Sequence, residues 1–456
     1  MRILQVANGY PPAQNTGVET YTYNLAMSLA GRGYAVHVLC RHSAHQMPDF
    51  EIHSEVVDGV PVTRLVNDFK AIGDFQATYH DARSEEVFQH IVDEFKPQLV
   101  HFNHLIGLTH RLPLLSSAAG IASVFTLHDF WPFCARINLV DWQGRQCGGP
   151  FNGGDCYTCM SGRQPGWQLR FLSQVKKHLP FELRQMLRKR VMMQGSKTTL
   201  VTMRPEDFPT RYSTIRQAIL SAQSILATSE FVRSMYISNG YPAERIKVLP
   251  LGIEKPAISL APKPARVADH GVTFAFVGSL IPAKGLDLLL RAFRRLQSPK
   301  ARLLIYGEES SSPPEYHRKI STLARGDERI HFMGAFTRSQ RTEVYQKMDV
   351  LVLPSRVPES FSLVAREALS LDRPVIAAEI GALPELIQPG VNGDLFPVED
   401  EEALLLRLEK IVSQPDWLDT LKNAGLKTIY SMEEHTNLIE SIYSEAIKDS
   451  AIAERK

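Results

Sequence analysis

The sequence holds no run of apolar residues approaching the ~18 that a membrane-spanning helix needs, so no span is expected. It has almost no charge imbalance: 51 Lys and Arg against 49 Asp and Glu leave a net charge of +2. That excludes a global electrostatic footprint for nucleic acid, and any charged partner has to be sought locally. It has little cysteine, five residues in 456, too few for a disulfide scaffold. It lacks both GxGxxG and GxxxxGK[ST], which argues against NAD chemistry and against ATP hydrolysis at a P-loop. Met1 leads straight into ILQVA without a basic n-region, an h-region or a cleavage site, so no signal peptide is expected and the chain reads as cytoplasmic.

What is present is a chain too long for one core, since single cores rarely exceed ~250–300 residues, and its two halves open alike. RILQVAN reads as a buried strand, VETYTYNLAMSLAGRG as a helix with Tyr21, Leu25, Ser28 and Leu29 on one face and a glycine C-cap at Gly31 or Gly33, and YAVHVLC as a second strand. From residue 272, VTFAFVGSL, IPAKG, LDLLLRAFRRL and ARLLIYG repeat the order strand, turn, helix, strand; Leu286, Leu289, Leu290, Phe293 and Leu296 supply the apolar stripe. The fold class is therefore α/β, with two doubly wound, Rossmann-like domains facing across a cleft. The expected boundaries are 1–254, a Pro/Ala-rich linker 255–271, 272–431, and a last helix-like segment in 432–456.

PESFSLVAREAL places Glu359 and Glu367 seven residues apart, directly after DVLVLPS, a predicted central strand. With the helix starting near residues 360–362, eight residues rise ~12 Å, too far for a glycosidase carboxylate pair at ~5–9.5 Å. A helix N-terminus is a ready phosphate site, and a carboxylate two turns along can accept from a ribose diol. A solvated glutamate and a capping acid are the plainer alternative.

PESFSLVARE resembles the Glu, seven residues, Glu motif of the retaining GT-B glycosyltransferases of family 4. The resemblance extends through TGVETYTYNLAMSLAGRGYAVHVL, TLHD, ILATSEFVRS, LPLGIE, FVGSLIPAKGLDLLLRAF and GALPELIQPGVNGDLFP, in that order. It implies a first domain that binds an acceptor and a second that binds a nucleotide-diphosphate sugar, with transfer to a saccharide or lipid-linked saccharide. It further implies retention at the anomeric carbon and no metal in catalysis. By resemblance, Glu367 holds the ribose; Glu359, with the backbone of Ser360, Phe361 and Ser362, holds diphosphate and donor sugar; Lys284 neutralises the diphosphate. Gly17 lets the first loop approach the donor, and Gly278 and Ser279 line it. His128, emerging from the strand SVFTL, contacts the sugar near the reacting carbon. Glu19 and Asp129 fall on the acceptor side, although a first-turn glutamate and a helix-capping aspartate explain them equally. Many relatives carry arginine where this chain has Ser279, which puts the strength of its phosphate grip in question.

Two features stand apart. Cys134, Cys147, Cys156 and Cys159 are separated by twelve, eight and two residues. Four thiolates suit a structural zinc or an iron–sulfur centre, and four reduced thiols in a Gly-rich loop are the alternative. These cysteines, following HDFW, are similar to those of a subset of family 4 enzymes that build surface polysaccharides. The insertion 163–216 is basic: 163–190 carries eight Lys and Arg against the single acid Glu182, with interleaved apolar residues. Such a segment suits an anionic surface at the inner membrane face, or a solvated helical insertion. Two other functions share the architecture: epimerases, hydrolases and phosphorylases acting on related substrates, and a non-catalytic nucleotide-sugar-binding subunit.

Overall fold

A computed structural model describes residues 1–70, 73–161, 202–254, 271–309, 312–421 and 429–453. The basic stretch 163–190 and all but the last residue of the 255–271 linker lie outside these residues. The first sheet contains β1 (Arg2–Ala7), β2 (Ala35–His42), β3 (Ile52–Val57), β4 (Val60–Val66), β5 (Leu99–Phe102), β6 (Ala122–Leu127), β7 (Ser224–Ala227) and β8 (Ile246–Val248). Their spatial order is β3-β4-β2-β1-β5-β6-β7-β8, parallel except where β3 pairs antiparallel with β4. The second sheet holds β9 (Thr273–Val277), β10 (Arg302–Tyr306), β11 (Ile330–Gly334), β12 (Val350–Leu353), β13 (Val375–Ala378) and β14 (Gly393–Phe396), all parallel, in the order β11-β10-β9-β12-β13-β14. Both orders reverse at an inner strand pair, β1/β5 and β9/β12, and ligands of such sheets bind beyond the strand ends at that reversal.

The strands are apolar because helices cover both sheet faces: every residue of β6 and of β12 is buried. The helix Leu286–Arg295 is buried almost all round, Leu288 and Asp287 included, because the helices Glu401–Ser413 and Pro314–Ala324 pack on the side that the apolar stripe leaves open. The helix Gly17–Gly31 turns off at Gly33, whose φ of 85° suits a residue without a Cβ. Residues 207–216, assigned from sequence to the basic insertion, belong instead to the helix Asp207–Leu220. Its Ile215, Ala218 and Ile219 are buried against the first domain.

One expectation changes. The helix after Glu359 begins at Leu363, past the range 360–362, with Ser362 at φ 59° just outside it. The ~12 Å estimate between the two glutamates assumed continuous helix, and half of that stretch is loop. The C-terminal helix Met432–Ala453 returns to the first domain. Its Ile439, Tyr443 and Ala446 share a core cluster with Tyr21, Leu25 and Val124, and Tyr443 hydrogen-bonds the buried His101 at 2.7 Å.

Candidate functional site

The reversal in the second sheet gathers the anion-binding candidates. The loop leaving β9 runs through Gly278 and Ser279 to a short 3₁₀ turn, Pro282–Lys284, and the loop leaving β12 runs through Ser355 to Glu359. The Lys284 ammonium donates to Glu359 Oε1 at 2.7 Å, and the Ser355 hydroxyl donates to the same oxygen at 2.6 Å. Burial alone would push the Glu359 carboxyl up. Lys284 and Ser355 outweigh it, and the group sits below the usual carboxylate range. Beyond it, the first turn of the helix Leu363–Ser370 points N–H groups that have no carbonyl partner within the helix. A side-chain cation and a helix N-terminus, two groups that favour anions, thus both lie at this reversal.

Two glycines permit this geometry. At Gly381 (φ 62°) a Cβ would lie 2.4 Å from the backbone N and O of Glu359, and at Gly285 (φ 71°) it would lie 1.9 Å from the Pro354 carbonyl oxygen. Neither backbone contact can yield cheaply, so only glycine fits. The turn carrying Lys284 is held by Arg356, which donates to the Pro282 carbonyl at 2.8 Å and forks onto Asp287 at 2.5 and 3.1 Å. Asp287 also accepts from Tyr316 and Lys319, and those cations and hydroxyls hold its fully buried carboxyl far below the ordinary value against desolvation.

Glu367 has separate partners. It accepts from the Tyr345 hydroxyl at 2.9 Å and faces Arg341 at 3.3 Å. Burial pushes its carboxyl up, opposed by Arg341 and Tyr345. Arg341 and Arg338 both reach Glu254, and these four side chains, with Ser431 and Met432, line a cavity of about 450 Å³. Neither Lys284 nor Glu359 lines this cavity, so it belongs to the Glu367 end of the site.

Across the cleft, the loop of Glu359 is where the domains touch. The hydroxyls of Thr228 and Ser229 donate to the Ser360 carbonyl at 3.3 and 2.8 Å, and Phe361 is buried in the first domain's cluster. Gly17 opens the helix Gly17–Gly31, and a Cβ there would meet only Leu363, at 3.7 Å. Ser279 is exposed. His128 leaves β6 beside Tyr21, with Asn103 Oδ1 at 3.4 Å; burial first, then the neighbouring imidazoles of His104 and His435, depress it to about 3. It is a neutral imidazole at physiological pH, suited to hydrogen bonding and not to carrying charge.

Asp129 is held by two donors. Its carboxylate accepts from the Trp131 N–H and from His104 Nε2, both at 2.9 Å. His104 Nδ1 takes the Ile106 N–H, which fixes the tautomer. Glu19, 2% exposed, is held by Asn8 at 3.0 Å and by Thr16. Sequence reasoning missed Ser355, Tyr345, Arg341 and Asn103. Ser355 had a signal, the end of an apolar strand; the others are joined to the site only by folding.

Two doubly wound α/β domains with a lysine–glutamate grip at the second sheet's reversal define the GT-B architecture. Residues 15–163 match the family model described as Glycosyltransferase Family 4, and residues 271–414 the one described as Glycosyl transferases group 1. The chain belongs to the group 1 glycosyltransferases of GT-B fold. It is similar to D-inositol 3-phosphate glycosyltransferases of Segniliparus rotundus (28% identical, 52% of this chain and 55% of that one) and Mycolicibacterium smegmatis (32% identical, 51% and 55%). The matched segment spans about half the length of these relatives. Among solved structures, sucrose-phosphate synthase of Thermosynechococcus elongatus superposes with a TM-score of 0.65 at 20% identity, over 98% of this chain and 99% of that one. Anabaena HepE in complex with UDP and glucose gives 0.60 at 17%, over 97% and 99%. At these identities the likeness concerns the fold. No described helix is long and apolar enough to cross a membrane.

Proposed function

We propose that the protein transfers a sugar from a nucleoside-diphosphate sugar to a hydroxyl of a saccharide acceptor, with retention at the anomeric carbon and without a catalytic metal. The observation that carries this reading is the Lys284–Glu359–Ser355 cluster, placed between a helix N-terminus and the interdomain contact at Ser360. In this reading Lys284 turns from Glu359 toward the diphosphate and stabilises the leaving charge, and Glu359 orients the sugar. Glu367 and the cavity beside it take the nucleoside. Gly17, Gly278, Ser279 and the backbone of Ser360 to Ser362 line the donor, while the neutral His128 meets the sugar from the first domain. HepE in complex with UDP-glucose supports a donor of this kind.

The acceptor in this proposal is a lipid-linked saccharide at the inner membrane face. The relatives named D-inositol 3-phosphate glycosyltransferase support a second reading, in which a phosphorylated cyclitol is the acceptor. The test is a panel of nucleotide sugars incubated alone, with inositol 3-phosphate, and with a lipid-linked saccharide, following release of the nucleoside diphosphate. Release that requires one acceptor, with the α or β configuration of the donor kept in the product, is expected. Release without any acceptor makes the protein a hydrolase, inversion removes the retaining mechanism, and binding without release leaves a nucleotide-sugar-binding subunit.

A further inference from the structure

Cys134, Cys147, Cys156 and Cys159 are half-buried free thiols, and among the described residues no three His, Cys, Asp or Glu side chains are placed to hold a metal ion. A different element is left unused by the proposed transfer: the helix Glu230–Ser238, which follows β7 in the first domain. The first three N–H groups of a helix have no carbonyl partner within it. Here the Val232 N–H donates to Ser229 Oγ at 3.2 Å, and the other two, on Glu230 and Phe231, donate to the two carboxylate oxygens of Glu385, the first at 3.0 Å. Glu385 belongs to the second domain, on the short helix Leu383–Leu386. One domain therefore caps a helix of the other, with a carboxylate at the end that favours negative charge.

The same helix end reaches the Glu359 loop by a second route. The Ser229 hydroxyl that accepts from Val232 donates to the Ser360 carbonyl, which Thr228 also meets. Ser229 and Thr228 are buried, so a hydrogen bond lost there is not readily replaced by water. The two routes converge, because the Ala382 N–H, three residues before Glu385, donates to the Glu359 carbonyl at 2.7 Å. Phe361, buried in the first domain's cluster, is held by Arg366, whose guanidinium lies 3.6 Å from the ring centroid and donates to the Phe361 carbonyl. Further along, the helix grips the other site loop. The Tyr236 hydroxyl donates to the Asp129 carbonyl at 2.8 Å, and Phe231 meets Phe130 edge-on with ring centroids 5.9 Å apart. Asp129 and Phe130 directly follow His128, so one helix of nine residues joins the loop of His128 to the loop of Glu359.

We propose that Ser229 and Glu385 are positioning residues: they seat the helix Glu230–Ser238 on the Glu359 loop and so hold His128 and Glu359 at a fixed separation across the donor sugar. The kinetic consequence rests on the transfer proposed above; the seating itself does not. Lys284, Glu359 and Glu367 all belong to the second domain, so donor binding does not need the seating. Reaction at the anomeric carbon does, because it draws on groups of both domains, and a misplacement of about 1 Å can cost about 10²-fold in rate.

In the full chain, Ser229→Ala/Glu385→Ala should lower kcat about 10–100-fold while the donor KM stays within about 2-fold. Glu385→Gln, which keeps an oxygen to accept from the two amides, should retain most of the turnover that Glu385→Ala loses. Ser238→Ala, at the far end of the same helix, should change neither constant. Small-angle X-ray scattering of the ligand-free proteins should give a larger radius of gyration for the double variant than for the wild type. If the double variant fails to fold, Glu385→Ala alone takes its place, since that side chain is exposed. An unchanged radius of gyration, kcat and KM shifting in proportion, or Glu385→Gln as damaging as Glu385→Ala would each overturn the assignment. The scattering needs no donor: a larger radius in the variant together with no transfer by the wild type would keep the seating and end the transferase reading.

Discussion

Lys284 and Glu359 neutralise each other at 2.7 Å, and in the proposed transfer the diphosphate redirects the lysine. Lys284→Ala should cut kcat/KM by about 10²–10³-fold, the loss typical of removing one preorganised donor to a developing anion, with a smaller effect on Tm because the lysine is a third exposed. Steady-state kinetics beside a thermal melt checks both; unchanged kinetics would end its assignment. The depressed Glu359 carboxyl stabilises the fold above the ordinary carboxylate range, and that contribution is lost as pH falls through its folded value. Glu367 is the opposite case. Its raised pKa means that its charge is carried at a cost in the ligand-free protein. Glu367→Gln keeps an acceptor for the Tyr345 hydroxyl, so stability should hold or rise while affinity for the nucleoside diphosphate released in the donor panel drops about 10-fold or more, measured by calorimetry. Unchanged affinity would remove Glu367 from the nucleoside site.

At the scale of the element, the Ser355–Leu363 segment does three jobs: it carries Glu359, meets the first domain through Ser360, and sets the start of the helix. Its shape depends on Gly381, so Gly381→Ala should lower stability by about 1–3 kcal/mol and lower kcat as Glu359 is displaced. Chemical denaturation and turnover measured together would show it, and wild-type values in both would mean that the backbone contact is soft. Ser362 holds a left-handed conformation that L-residues avoid at about 1–2 kcal/mol. The helix starts at Leu363, one residue past the expected range Ser360 to Ser362, for this reason: the periodicity of Val364, Ala365, Ala368 and Leu369 marks the buried stripe, but nothing in the local sequence signals an αL residue ahead of it. By contrast β12 and β9 were legible, because strands buried on both faces are nearly continuous apolar runs.

For the molecule as a whole, the returning C-terminal helix builds a buried histidine layer. His101 and His128 are pushed down to about 3 and His435 to about 4, chiefly by burial. The unfolded chain binds these protons near the ordinary imidazole value and the folded chain does not. Stability is therefore complete above pH ~6.5 and falls as pH drops below it, by up to about 1.4 kcal/mol per group per pH unit. A denaturation midpoint that is flat between pH 7 and 5 would contradict this. Tyr443→Phe, which deprives His101 of a partner at 2.7 Å, should cost about 1–3 kcal/mol and leave the donor site intact. A stability series across pH with binding of the nucleoside diphosphate identified in the donor panel as control separates the two.

The sequence by itself determined the two α/β domains and the strands that end at the site, while the family resemblance carried by its motifs made Lys284, Glu359, Glu367 and His128 the candidates. Periodicity and strand-end position are local properties that a linear pattern preserves. Only tertiary structure decided the partners: Ser355 and Lys284 on Glu359, Tyr345 and Arg341 on Glu367, Arg211 over the rings of Tyr79 and Trp131. Each of these contacts joins side chains whose approach depends on sheet order and helix packing. The same packing turned Asp129 and Glu19 into anchored residues, because a carboxylate already accepting two hydrogen bonds is held in place by them.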